Sequence, residues 1–518
     1  VDENSHHGLK ILSRQLLGAP DYDIPLKEKL GNTHRKKFFT YAAADAAYTR
    51  RLRAPLYKKM DEEDRWIFEK LTMPAARAFE RIEANGLYMD LDKIAAAEAE
   101  QLKAMADVEK QLNRIAGKTV NWNAPPQVAE ILYGKLGLTP TVFTAKEAPS
   151  TGEEALADID HPIAQLIEKY REHQKFLSTY IGDTKKKTGG WQDFMVGPHL
   201  YLGTKLHGTV TGRYSSRLHQ VPREGLIRNL SIAPPGWDFG QLDLSQAELK
   251  VIAVVSPDPE MLKCFAEGTD IHWRTLMGAV ETGGGEYVDA IWDTAKLLTK
   301  RKLDFPDAME LVRGLTPEEA YELWSGWKEG RKKAKGINFG FAYGQSAEGF
   351  IGYAKTKYGF TPTLEESNNF RDGFFGTYRM LTSWHERQKK LAHQDGYVRN
   401  LIGRKRHLPG IYSSDRFIVS ECERQAINAP IQGFIGDYKA MILIELDEVM
   451  PWEQFRVVGE VHDSILFWVK RDARHLILPQ VKAIADAPKL AREAELNFPI
   501  PLNVDIEIGP WGAGKRWK

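Results

Sequence analysis

The segment RKKAKGINFGFAYG (331–344) constrains the chain more than any other. Four cations fall within its first five residues, and the apolar period that follows predicts a helix over 331–345. Cations at the start of a helix oppose its macrodipole. The conflict disappears if the helix end holds an anion, which free backbone N–H groups and the dipole both favour. Arg331, Lys335, Phe339 and Tyr343 lie four apart. Each step of four drifts about 40° around a helix, so all four share one face, running ~18 Å from two cations to two rings. That polarity suits a nucleotide, with phosphates at one end and a flat base at the other. Taken alone, a solvated basic helix start with core aromatics accounts for the same residues.

Two isolated aspartates add a second constraint. Asp243 lies in QLDLSQAELK (241–250) and Asp463 in GEVHDSILF (459–467), each flanked by apolar residues at the end of a predicted strand. A carboxylate there is costly unless paired, hydrogen-bonded or metal-bound. Capping a turn would satisfy either one. Holding two Mg²⁺ ions would satisfy both, in the arrangement that stabilises the attacking and leaving oxygens of phosphoryl transfer. The stretch 454–470 alternates on both sides of HDS, which predicts a β-hairpin with His462 and Asp463 at its tip.

Two polar stretches fit the same theme. Residues 208–237 are dense in Thr, Ser and Gly and carry Arg213, Arg217, Arg223 and Arg228. This is the composition of a loop that contacts a nucleic-acid backbone, although charged loops are common. In ERQAINAPIQG (423–433), Arg424, Asn428 and Gln432 form one polar helix face. Such a row can hydrogen-bond base edges or simply be half-buried.

The chain has 518 residues, 42% of them hydrophobic, so it can build several cores. Its 71 Lys and Arg against 70 Asp and Glu leave a net charge of +1, which excludes a uniformly basic coat but not segregated charge. Two cysteines, Cys264 and Cys422, exclude a disulfide framework. No run of ~18 apolar residues appears, so no membrane span is expected. The reducing, intracellular default follows. Further helices are predicted at 41–52, through 62–115, after a cap-like Asn and two prolines in 121–137, at 161–180 and at 246–256; 236–245 reads as a strand end. A basic, Gly-terminated tip, KKKTGG, lies at 185–190. Interspersed strands and helices argue for a mixed α and β fold.

Together these motifs resemble family-A DNA polymerases, the bacterial DNA polymerase I type, including phage versions. TGRYSS (211–216), DLSQAELK (243–250, motif A), RKKAKGINFGFAYG (motif B), ERQAINAPIQG and VHDS (461–464, motif C) occur in the family's order. ERIEANGLYMD (80–90), NAPPQVAEIL (123–132), GYVRNLIGRKRHLP (396–409) and GPWGAGKRW (509–517) are weaker echoes. The resemblance covers roughly residues 75 to 518.

It implies an α+β right-hand fold: a palm with an antiparallel sheet, and helical fingers and thumb. The expected divisions are an exonuclease-like remnant at 1–60, thumb and connecting helices at 61–195, first palm part at 196–262, fingers at 263–400 and second palm part at 401–518. Asp243 and Asp463, with the Leu244 carbonyl, would carry two Mg²⁺ ions, for which Mn²⁺ can substitute. Arg331, Lys335 and His272 of DIH (270–272) would hold the incoming triphosphate, with Lys335 also counted as catalytic. Phe339 and Tyr343 would sit by the sugar and base pair, and Glu248 would be the steric gate against a 2′-hydroxyl. Gln246 is expected beside nucleotide and primer–template. Arg213, Arg228, Arg424, Asn428, Gln432 and His462 would touch DNA. The implied partners are primer–template DNA and dNTPs, for a monomer in the cytoplasm of a bacterial or phage-infected cell.

Some residues depart from the family pattern. Ser464 stands where Glu is usual, Glu460 where Gln is usual, and Lys250 where Arg is usual. Residues 219–222 read His-Gln-Val-Pro and lack the usual Gln-Asn. The stretch 278–330 looks like a fingers insertion. LKILSRQLLG (9–18) and YAAADAAYT (41–49) resemble the end of a 3′–5′ exonuclease domain, with Tyr41 and Asp45 as its last motif. The earlier acidic motifs would lie upstream of Val1, so this chain is expected neither to proofread nor to carry a 5′-nuclease. Glu248 and Phe339 argue against a single-subunit RNA polymerase. The presence of Asp243, Asp463 and Lys335 argues against a catalytically dead DNA-binding scaffold.

Overall fold

A computed structural model describes residues 4, 6–22, 35–206, 208–222, 225–275, 317–496 and 498–517, with backbone alone for 317–329. The proposed insertion at 278–330 therefore lies largely outside the described residues, as does Arg223.

Local chemistry explains most helix boundaries. Helix α1 (Leu91–Ala116) starts where the Asp90 carboxylate accepts from the Lys93 N–H at 3.1 Å, and ends at Gly117 in the left-handed region. Helix α2 (Pro162–Lys175) has His161 as its cap and continues as a wider turn through Ile181, so 161–180 is one helical unit. The two pack around Leu112, Trp122, Ile163 and Ile167, a core of their own. The expected Asn cap near 121–123 is not used. Ala124 holds that position without a side-chain bond, because Asn121 is engaged in the preceding turn.

Helix α3 (Ala247–Val255) follows the first long strand. Helix α4 spans Pro317–Ala342, which corrects the expectation of a helix starting at 331. Arg331 and Lys335 are mid-helix, where backbone N–H groups are already bonded within the helix. Any anion there must be held by side chains. Helix α5 (Arg416–Val449) is capped by Asp415 and contains Pro430. From Ala426 onward it is buried almost all round, which places it against several elements at once.

Helices enclose a five-stranded antiparallel sheet. Strands β1 (Trp237–Leu244), β2 (Phe455–Val461), β3 (Ser464–Lys470), β4 (Val504–Ile508) and β5 (Lys515–Arg516) lie in the order β5-β4-β1-β3-β2. The sheet is buried on both faces. On β3, Ile465, Phe467 and Val469 join the core that contains α5, while Leu466 and Trp468 join the opposite core with Trp237 and Phe239. The β2–β3 hairpin has His462 and Asp463 at its tip, as predicted. Gly240 lets β1 pass under Phe467: a Cβ there would lie 2.3 Å from the ring.

That contact yields a stability prediction. Gly240→Ala overpacks the centre of the sheet and should destabilise by about 1–3 kcal/mol, read as a lower thermal midpoint. Adding Phe467→Leu should recover part of the loss. An unchanged midpoint in the single variant would contradict the close packing.

Candidate active site

Pairing of β1 with β3 sets Asp243 opposite Ser464. Asp463 is the next residue, at the turn, and its carbonyl accepts from the Leu244 N–H at 3.3 Å. The two aspartates expected from the sequence are thus neighbours at one end of the central strands. The turn is not relaxed. His462 has φ of +54°, a left-handed value uncommon outside glycine. Gln246, exposed at the cap of α3, has φ of +52°. Residues held in sparsely populated backbone regions cluster at functional sites.

Side chains then organise the carboxylates. Ser464 Oγ donates to Asp243 Oδ1 at 2.6 Å, and Gln241 Nε2 donates to Ser464 Oγ at 3.2 Å. Arg213 Nη2 is 2.6 Å from Glu248 Oε1 and 4.0 Å from Asp463 Oδ1. Burial opposes the guanidinium charge, but Glu248 and Asp463 outweigh it and raise the Arg213 pKa. Arg213, His219, Lys439, His462 and Asp463 line a cavity of about 240 Å³. Asp463 beside this open space, with Asp243 near it across the strands, fits Mg²⁺, a hard cation commonly held by one or two carboxylates plus substrate phosphates. Among the described residues, no group of three or more His, Cys, Asp and Glu is placed to hold a metal.

Helix α4 presents the expected stripe. Arg331, Lys335, Phe339 and Tyr343 are half-exposed, while Ala334, Ile337, Asn338 and Phe341 between them are buried. Phe339 and Tyr343 stack with centroids 6.2 Å apart, and Lys335 Nζ is 6.0 Å from the Phe339 ring centre. Burial, then the Glu248 carboxylate, pushes the Tyr343 hydroxyl pKa well up, with Gln432 nearby partly offsetting this. Arg213 thus lies between Glu248 and Asp463, and the Glu248 charge acts on the Tyr343 hydroxyl, which is buried without a hydrogen-bond partner among the described residues.

At the cationic end, Arg331 Nε donates to Asp270 Oδ2 at 2.7 Å. The other Asp270 oxygen accepts from the His272 N–H at 2.8 Å. The His272 ring is buried, and its Nδ1 lies 2.8 Å from Asn338 Nδ2; Asn338 Oδ1 accepts from Thr275, whose hydroxyl also meets that of Tyr378. Burial, with help from Arg331 and Lys335, pulls the His272 pKa down to about 4. The ring is neutral at pH 7, and with Nδ1 accepting from Asn338 its proton sits on Nε2. Asp270 and Asn338 escaped the sequence reading. An Asp two residues before His272 is a capping signal that could have exposed the first.

The remaining expected residues divide. Gln432 reaches the Tyr343 cluster. Asn428 Oδ1 is buried with no hydrogen-bond partner among the described residues. Arg424 is exposed and bonded to Glu421 and Ser420, both at 3.1 Å. Arg228 stands apart: its Nε donates to the Pro222 carbonyl at 2.9 Å and its guanidinium lies 5.1 Å from the Trp511 ring centre, bracing the loop. Asp437, also missed, is buried on α5 between Arg404 Nε at 2.9 Å and Asn400 Nδ2 at 2.7 Å. Asp505 sits opposite Asp243 on β4, but its carboxylate is bonded to Arg516. Near the N-terminus, Asp45 is bonded to Lys10, whose ammonium also lies over the Tyr22 and Tyr41 rings. Among the described residues, no helix is long and apolar enough to cross a membrane.

Comparisons with known proteins bear on the family and the fold. The model of DNA polymerase family A matches residues 91–288 and 320–513. The chain is 28% identical over 505 residues to a thermostable DNA polymerase I of Thermus filiformis, covering 95% of this chain and 53% of that protein. It is 28% identical over 497 residues to DNA polymerase I of Pseudomonas aeruginosa, covering 92% and 47%. It thus spans about half the length of the curated relatives it matches. Its structure superposes on the POL domain of Pol1 from M. smegmatis, solved in complex with DNA primer-template and dNTP. The TM-score is 0.75 at 21% identity, over 99% of this chain and 80% of that one. That likeness shows the expected α+β right-hand fold. With the family model matching most of its length, the chain belongs to DNA polymerase family A.

Proposed function

We propose that the chain is a DNA-templated DNA polymerase that extends a primer 3′-hydroxyl with dNTPs and releases pyrophosphate, in replication or repair. The observation that carries this reading is Arg213, which pairs with Glu248 at 2.6 Å and lies 4.0 Å from Asp463, with Asp463 next to the Ser464 that faces Asp243 across the strands and Glu248 acting on Tyr343 at the aromatic end of the stripe. It joins a nucleotide-shaped stripe to a pair of carboxylates.

In this reading Asp243, Asp463 and the Leu244 carbonyl hold divalent metal, Mg²⁺ or Mn²⁺. The metal would neutralise phosphate charge and promote attack by the primer oxygen. The chain's own residues do the positioning. Lys335 and Arg331 hold the triphosphate as side-chain cations, with Asp270 orienting Arg331. Neutral His272 offers Nε2–H to a phosphate oxygen. Phe339 and Tyr343 give the base pair a flat wall. Arg213 fixes Glu248 where a 2′-hydroxyl would clash. Gln246, Arg228, Arg424, Asn428, Gln432 and His462 meet primer–template, Arg228 by bracing the loop. Residues 61–195 act as thumb, 196–262 and 401–518 as palm, and 263–400 as fingers. Residues 1–60 would be exonuclease-like, with Asp45 paired to Lys10, and no proofreading is proposed for this chain. The protein would act as a cytoplasmic monomer.

Primer extension with Mg²⁺ tests the proposal. Wild type should extend with dNTPs and not with rNTPs. Asp243→Asn should bind primer–template and not extend it. Wild-type binding without extension would instead support a DNA-binding scaffold. Glu248→Ala should raise relative rNTP use by at least about tenfold, the scale on which a pocket discriminates one small group. An unchanged dNTP/rNTP ratio would remove Glu248 as the gate.

A further inference from the structure

We infer that Lys439, buried beside Glu460, is a positioning residue whose bond to the His462 carbonyl sets the turn carrying Asp463. This rests on the assignment of Asp463 to the polymerisation site proposed above. Lys439 on α5 and Glu460 on β2 are 4% and 2% exposed. The Lys439 ammonium donates to the Glu460 carboxylate and also to the backbone carbonyl of His462. His462 is the residue with φ of +54° that directly precedes Asp463.

A buried ion pair is a weak source of stability, because desolvation offsets most of the attraction. Stability alone therefore gives little reason to bury this pair. The third contact supplies a reason. A strained non-glycine turn persists only where its surroundings over-determine it, and here the ammonium grips its carbonyl. From the other side, His219 Nε2 lies 3.2 Å from Glu460 Oε1, and its ring meets the His462 ring edge-on with centroids 5.4 Å apart. Burial lowers the His219 pKa, with Glu460 opposing the shift. Register shows why Glu460 reaches α5: its partner on β3 is Ile465, whose side chain joins the core containing α5. In the sequence, Glu460 reads only as a departure next to motif C. In the structure it anchors the cation that holds the turn.

Four variants separate the possibilities. Lys439→Met leaves a carboxylate buried without its cation and should lower the melting temperature. Lys439→Met with Glu460→Gln removes both charges and should recover that temperature. It should not recover the turn. Its kcat should stay about 10–100-fold down, the usual effect of losing a group that supports a metal ligand, with KM for primer–template unchanged. Mn²⁺ affinity measured by calorimetry on the protein alone should weaken by a similar factor. Glu460→Gln alone keeps the bond from Lys439 to the His462 carbonyl and should keep near wild-type kcat and Mn²⁺ affinity. A stable double variant with wild-type kcat and Mn²⁺ affinity would overturn the inference. So would Glu460→Gln with the full loss expected of the double variant, even if the double fails to fold. Asp463→Asn runs alongside: if it still extends primers, the polymerisation site itself is misassigned. If it is inactive while the double variant is normal, only the role of Lys439 falls.

Discussion

Antiparallel pairing of β1 with β3 is the constraint on which the site depends. It puts Asp243 opposite Ser464 and brings Asp463 to the Leu244 N–H. A one-residue slip would turn every side chain to the other face and carry Asp243 into the core. The slip is blocked because both faces are filled, Ile465, Phe467 and Val469 on one and Leu466 and Trp468 on the other. Gly240 under Phe467 pins the same register. Hydrophobic burial thus sets the position of two polar groups that it could not itself favour.

Electrostatics complete the arrangement one pair at a time. Most acidic groups at the site have a donor of their own: Asp243 has Ser464, Glu248 has Arg213, Asp270 has Arg331, Glu460 has Lys439 and Asp437 has Arg404, while Asp463 shares Arg213 at 4.0 Å. Local pairing of this kind fits an overall charge of +1. It also sorts the groups by what they can do. Glu460 and Asp437, nearly inaccessible, offset the charges of Lys439 and Arg404. Arg331, 38% exposed beside Asp270, can turn to a phosphate with little loss of solvation.

Much of this was legible in the sequence because it rests on short-range periodicity. The four-residue spacing of Arg331, Lys335, Phe339 and Tyr343 placed them on one face, and the alternation around His462-Asp463 marked the hairpin. The start of α4 was not legible. Two glycines and mixed polarity in 317–330 mask a helix whose continuation is set by its surroundings, so the expected anion-binding helix end became a mid-helix stripe. Asp270, Asn338 and Lys439 were missed for a different reason. Their roles come from partners far along the chain, Arg331, His272 and Glu460, and no local pattern encodes such pairings. The family motifs pointed to the groups proposed to react. The residues that hold them in place needed coordinates.

The central claim is that Asp243 and Asp463 jointly hold the metal of a nucleotidyl-transfer site. The most direct measurement is a crystal structure with a dideoxy-terminated primer–template, the matching dNTP and Mn²⁺, located by anomalous scattering. The account predicts Mn²⁺ between the two carboxylates, with the triphosphate reaching Lys335 and Arg331. Mn²⁺ elsewhere, with Asp243 still bonded to Ser464 and Asp463 pointing away from the nucleotide, would contradict it.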